Sequence, residues 1–230
     1  FAHRLEALGH AIEPAGPDFS TLDVVRPVMV GVATGTAMGL EAIAIQRGWP
    51  IGTDEVEPVT WGAMQHARSL GATDYLRAIA SLHALGRRMA QFHARFDVLL
   101  TPTLAEPPAP LGRYAMGNPD FIDYRLGSEG LWRYSPFTPL ANATGAPSIS
   151  LPAGRSAAGT PIGPSCVERI ALGGTSQGGV FEARSSMKAV NQAVGGKHRH
   201  IGRRDATVAR RRRPHVTTFE RQSRHAAVCI

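Results

Sequence analysis

The chain has 230 residues, 43% of them hydrophobic, and is long enough to bury one large core or two small ones. Its two cysteines, Cys166 and Cys229, stand in no CxxC or Cys/His ligand spacing. That excludes a readable zinc site or disulfide framework and makes a reducing, cytoplasmic setting the expectation. The net charge of +7 belongs to the tail: residues 1–164 hold 12 Arg, no Lys and 14 acids, whereas residues 165–230 hold 11 Arg and 2 Lys against 4 acids.

Phe1-Ala-His-Arg4 lacks the basic start and apolar core of a signal peptide, and no initiator Met is present, so the sequence reads as beginning partway through a longer one. Ala2 to Leu8 predicts a short helix with Leu5 and Leu8 on one face and Gly9 as its stop, and Ala11-Ile-Glu-Pro14 predicts a strand. Residues 20–46 predict two helices or one interrupted helix, with Pro27 in a first turn. Val28 to Ile45 approaches the length of a membrane span, but Gly31, Gly35, Gly39 and Glu41 interrupt it without a flanking basic cluster. A buried helix is therefore expected there, and no membrane. Asp54, Glu55 and Glu57 fall in a Pro/Gly-rich loop and read as solvated carboxylates.

The clearest helix runs from about Thr73, its N-cap, to Phe96. Tyr75, Ile79, Leu82, Leu85, Met89, Phe92 and Phe96 recur every three or four residues, with Arg87, Arg88, Gln91 and Arg95 opposite. That stripe is built to cover a sheet. His83 and His93 on this helix are ten residues apart, not an i, i+4 metal pair; with His3 and His66 they read as surface or capping groups, and neither metal nor cofactor is expected. Val98-Leu-Leu100 is apolar without alternation, as in a buried parallel strand. Residues 105–135 look irregular. Pro139 to Thr144 predicts a short helix stopped by Gly145, Ser148 to Leu151 a strand, and Gly154 to Gly159 a hairpin turn into Pro161-Ile-Gly163. Residues 195–230 show no sustained apolar period and predict a disordered basic tail.

Two tail motifs carry candidate chemistry. Gly174-Thr-Ser-Gln-Gly178 matches a G-x-S-x-G nucleophile elbow, with Asp205 and His215 following in hydrolase order. Too few residues remain after Ser176 to build the parallel sheet an elbow needs. Arg203, Arg204 and Arg210, Arg211, Arg212 and Arg213 could grip phosphates non-specifically. Base readout has no support, nor do interleaved stacking aromatics.

Four stretches point to one family. Asp97-Val-Leu-Leu-Thr-Pro-Thr103 and Pro136 to Pro152, the latter containing Asn142-Ala-Thr-Gly-Ala-Pro-Ser-Ile-Ser-Leu-Pro, resemble segments in the C-terminal half of amidase-signature hydrolases. Leu5-Glu-Ala-Leu-Gly-His-Ala-Ile-Glu13 resembles the family's "Leu-x-x-Leu-Gly-His-x-Val-Glu", and Gly159-Thr-Pro-Ile-Gly163 its "Gly-x-Pro-x-Gly" hairpin. Asn142 and Gly145 take the family's Asn and Gly, while Leu140 and Ala141 replace its Pro-Phe. The resemblance implies an α/β fold, a mixed sheet covered by helices, and hydrolysis of carboxamide C–N bonds through a serine acyl-enzyme.

The family's Ser–Ser–Lys triad sits in a Gly/Ser-rich segment of its N-terminal half. No such segment occurs here, and the lysines are Lys188 and Lys197 alone. No catalytic residue is assignable, and a small amide substrate is expected as partner only with the missing half supplied. By resemblance Trp132, Phe137, Asn142 and Thr144 lie nearest the acyl pocket; read from the residues alone they serve packing and turn capping. The family pattern stops at Gly163, where Pro164-Ser-Cys replaces the expected strand. The expected division is therefore 1–163, amidase-like, and 164–230, a basic tail that is either out of frame or divergent. The other reading of the whole is a small basic nucleic-acid-binding or interaction protein acting through residues 195–230.

Overall fold

The computed structural model describes residues 1–168 and 225–228. The Gly174–Gly178 motif, Asp205, His215 and the arginines from 203 to 213 lie outside the described residues. The strands are β1 (Ala11–Pro14), β2 (Val98–Pro102), β3 (Ser148–Ser150), β4 (Gly154–Arg155), β5 (Pro161–Ile162), β6 (Pro164–Glu168) and β7 (His225–Val228). Five of them form one sheet in the order β1-β7-β2-β6-β3, and β4 and β5 pair as a separate hairpin. β7 is parallel to both β1 and β2, and β6 is antiparallel to β2 and β3. β2 and β3 therefore point the same way, with β6 between them.

The helices are α1 (Ala2–Ala7), α2 (Thr21–Arg47), α3 (Pro58–Ser69), α4 (Ala72–Phe92), α5 (Phe121–Leu126), α6 (Leu131–Tyr134) and α7 (Pro139–Thr144). α2 is one continuous helix. Ser20 caps it, its hydroxyl accepting from the Asp23 N–H while the Asp23 carboxylate accepts from the Ser20 N–H at 2.8 Å, and Gly48 ends it at φ +85°. Pro27 stands at the helix's seventh position rather than in its first turn, and loses only one intrahelical bond there. The helix is not buried all round, contrary to expectation. Val24, Val25, Met29, Ala33 and Ala37 face inward, while Met38 is 72% and Ile45 82% exposed. By length and composition alone it could cross a membrane.

The N-cap of α4 is Gly71, not Thr73: the Asp74 carboxylate accepts the Gly71 N–H at 2.9 Å. It ends at Phe92; His93 follows as C-cap, buried, with Nδ1 2.9 Å from the Phe96 carbonyl. The C-terminal half of the predicted stripe does cover the sheet: Leu85, Met89, Phe92 and Phe96 pack with Leu99 of β2, Val167 of β6 and Leu140 of α7. Each such side chain removed from water contributes about 1.5–3 kcal/mol. Tyr75, at the other end, is exposed. Val98 and Leu100 turn to the opposite face, with Leu5, Leu151 and Cys166. β2 is thus apolar without alternation because both its faces are covered.

Two sheet strands contradict the sequence reading. The strand expected after the hairpin is present: β6 lies beyond the expected boundary at residue 163, with Ser165, Cys166 and Val167 all buried. Ser and Cys are weak strand formers, and Pro is tolerated as a first strand residue, so the signal is hidden in small side chains that fit a central position. In the tail, residues 225–228 are a strand rather than unstructured. β1 and β2 each present a row of backbone donors and acceptors, and β7 satisfies both rows. α3 was not predicted; it begins at Pro58 in its first turn and buries Val59, Ala63 and Met64. Within the irregular 105–135 stretch, α5 and α6 are short, and Asp120 caps α5 by accepting from the Ile122 and Asp123 N–H groups.

Candidate functional site

The two segments that carry the family resemblance meet at the carboxyl ends of β2 and β3, where ligands commonly bind in open α/β sheets. They border a cleft of about 270 Å³ lined by Thr103 and Leu104 after β2, Ser150, Leu151 and Pro152 at the end of β3, and Ile162 and Gly163 from the hairpin side. Strand order makes this meeting. Thr103 and Ser150 are 47 residues apart, yet the intervening β6 sets their hydroxyls 3.2 Å apart, Thr103 Oγ1 donating to Ser150 Oγ.

Backbone bonds fix the floor. The Thr103 N–H donates to the Gly163 carbonyl at 3.2 Å, the Leu151 N–H to Pro164 at 3.0 Å and the Ala153 N–H to Ile162 at 2.9 Å. Gly163 lies so close to β3 that a Cβ would overlap the Leu151 carbonyl oxygen and sit 2.8 Å from its carbon. One rim is the loop after Thr103, tied down by Tyr134: its carbonyl accepts the Ala105 N–H at 2.9 Å, and its hydroxyl accepts the Ala109 N–H at 3.1 Å. Glu106 on that rim accepts from Arg113 at 2.8 Å, and this bond raises the guanidinium's affinity for its proton. Apolar walls beside two hydroxyls suit an apolar group with one hydrogen-bonding function at its end. Among the described residues, no Lys or His lines the cleft beside these hydroxyls.

None of the four residues expected near a pocket lines this cleft. Trp132 on α6 packs with Met29, Val59 and Phe121 and donates its Nε1–H to the Met29 sulfur at 3.3 Å. Thr144 returns its hydroxyl to the Leu140 carbonyl at 2.8 Å, Asn142 is exposed on α7, and Phe137 is half-buried just before that helix. The cleft is lined by other members of the segments the sequence singled out. Thr103, Ser150 and Gly163 stood inside the quoted motifs, but their convergence needed the β2-β6-β3 order.

Away from the cleft, Glu55 is not simply solvated. Arg47 grips it with two bonds, at 2.6 and 2.7 Å, and also reaches the Pro50 carbonyl. The Arg47 bonds, then the Gly52 N–H, hold the Glu55 carboxyl down at about 2.

A family model described as Amidase matches residues 1–169. A putative amidase AmiC of Mycobacterium leprae (strain TN) is 34% identical over 167 residues, which are 70% of this chain and 33% of that protein. The 6-aminohexanoate-cyclic-dimer hydrolase of Pseudomonas sp. (strain NK87) is 26% identical over 166 residues, 70% of this chain and 34% of its own length. Among solved structures, a 6-aminohexanoate cyclic dimer hydrolase aligns at TM-score 0.66 and 23% identity, over 85% of this chain and 40% of that one. A bacterial aryl acylamidase of the amidase signature family aligns at TM-score 0.60 and 20% identity, over 86% and 41%. The chain spans about a third of the length of the curated relatives it matches.

Proposed function

This chain belongs to the amidase family, and we propose that it is the C-terminal portion of an enzyme that hydrolyses carboxamide C–N bonds, inactive as these 230 residues alone. The observation that carries the reading is the convergence of residues 97–103 and 136–152, the two family-like segments, on one cleft at the ends of β2 and β3. In this proposal the cleft and the adjoining α6–α7 stretch, with Trp132, Phe137, Asn142 and Thr144, form part of the wall around a small amide's acyl group. Leu104, Leu151 and Ile162 would contact its apolar part. The serine that attacks the carbonyl and the groups that hold the oxyanion would come from outside these residues.

The test is turnover by the purified chain on short aliphatic, aromatic and anilide amides, beside a Ser176→Ala variant. No hydrolysis above buffer is expected from either protein. Hydrolysis by the unsubstituted chain that Ser176→Ala removes would overturn the proposal and place the nucleophile in the tail.

A further inference from the structure

Next to the last residue of α5 stands a cation with no counter-charge among the described residues. Arg125 is half-buried, and its Nε is shut off from solvent with no hydrogen-bond partner among the described residues. The ion pairs among the described residues use Arg47, Arg77, Arg95 and Arg113; Arg125 joins none of them. What surrounds it is aromatic. Its guanidinium carbon lies 5.5 Å from the Phe121 ring centre and 5.7 Å from that of Tyr124. Those rings are held in place: Phe121 is in the core beside Met29 and Ala63, and the Tyr124 hydroxyl donates to the Tyr114 carbonyl at 3.1 Å.

Ring faces offset part of the loss of water around a cation, but they accept no N–H bond in the guanidinium plane. Buried charges in proteins are ordinarily paired as well as surrounded. Burial accordingly weakens the guanidinium's hold on its proton, with the Tyr124 hydroxyl opposing only in part.

We infer that Arg125, framed by Phe121 and Tyr124, is a receptor for a carboxylate. The planar fork of donors matches a carboxylate's two oxygens. One negative charge neutralises one positive charge in a partly dry aromatic setting, whereas a phosphate dianion would leave an excess charge there. The half of Arg125 that remains reachable is where the ligand would dock. Phe121, Tyr124 and Arg125 do not line the cleft at β2 and β3, and the inference does not rest on amidase activity.

The test uses the 230-residue chain, acetate and benzoate as probes, chloride at equal ionic strength as the control, and inorganic phosphate as the competing chemistry. The Arg125 Nε–H resonance, assigned by its loss in Arg125→Met, should shift saturably with either carboxylate and not with chloride. Thermal denaturation should show carboxylate raising the midpoint of the unsubstituted chain and leaving Arg125→Met unmoved. Met should itself raise the midpoint without ligand, because it fills the same space and removes an unpaired charge. A glutamate-containing tetrapeptide separates the sources: saturation by acetate at no higher concentration assigns a free small carboxylate, and saturation by the peptide at tenfold lower concentration assigns a protein side chain. Equal shifts from chloride, or tighter binding of phosphate than of acetate, would overturn the inference, as would equal carboxylate stabilisation of Arg125→Met.

Discussion

Replacing Gly163 by Ala tests whether the cleft floor is built as described. The added methyl would overlap the Leu151 carbonyl oxygen and lie 2.8 Å from its carbon and 3.3 Å from the Ala153 nitrogen. All three atoms are backbone, so no rotamer change relieves the overlap. Gly163 has no positive φ, so torsional strain is not the issue and the close approach alone is at stake. Separating β3 from the start of β6 strains three bonds, Thr103 to Gly163, Leu151 to Pro164 and Ala153 to Ile162. At about 1 kcal/mol net for each, the loss is roughly 2–4 kcal/mol. Alanine returns only about 0.4–1 kcal/mol by restricting the unfolded chain. The net destabilisation is about 1.5–3 kcal/mol, a ten- to hundredfold change in the folding constant. Urea denaturation measures it, with amide exchange at Leu151 and Ala153 locating it. Gly154→Ala is the control, since a Cβ there meets nothing within 4 Å, and it should stay within about 0.5 kcal/mol. Equal midpoints for the two variants, with Leu151 and Ala153 protected as before, would refute the close approach of β3 and β6.

Two further outcomes follow from the charges and the sheet. Glu55 titrates at about 2 in the folded protein against an ordinary 4.5, so its bonds to Arg47 and Gly52 stabilise the fold above pH 4.5 and stop doing so as pH falls from 4.5 through about 2. Thermal midpoints across that window should fall more steeply for the unsubstituted chain than for Glu55→Gln; parallel curves would mean the pair contributes nothing in solution. Removing residues 225–230 takes β7 from between β1 and β2. Amide exchange at Ile12 and Glu13 should then accelerate at least tenfold, and unchanged protection there would rule out the β7 pairing.

How much of this was legible in the sequence depended on the range of the signal. α7 and its stop at Gly145 were readable because proline at the start, a few helix formers and a glycine at φ +70° are all local features. β1 was readable for the same reason, as Gly9 follows α1 at φ +88° and five residues later the strand is over. α4 was readable in its periodicity but misplaced at both ends. Its N-terminus was decided by the Asp74 carboxylate reaching Gly71, and its C-terminus by a buried His93 turning to Phe96. β6 failed the local test, since Pro-Ser-Cys advertises no strand. Its stability comes from lying between β2 and β3, where Val167 pairs with Leu99 and Ser148.

The same strand explains why the candidate site was only half legible. Motifs identify stretches of chain, and both stretches bordering the cleft were identified. Which of their side chains meet is a property of the strand between them, and that strand was the one the sequence concealed. With β6 in place, Thr103 and Ser150 come within hydrogen-bonding distance and Gly163 must be glycine. Without it, Trp132, Phe137, Asn142 and Thr144 are the natural choices, because they are the aromatic and polar members nearest the most specific motif. Proximity along the chain and proximity across the sheet select different residues. It follows that Gly163, which bears no functional group, governs the cleft's shape, because a Cβ there would overlap the Leu151 carbonyl oxygen and hold β3 and the start of β6 apart.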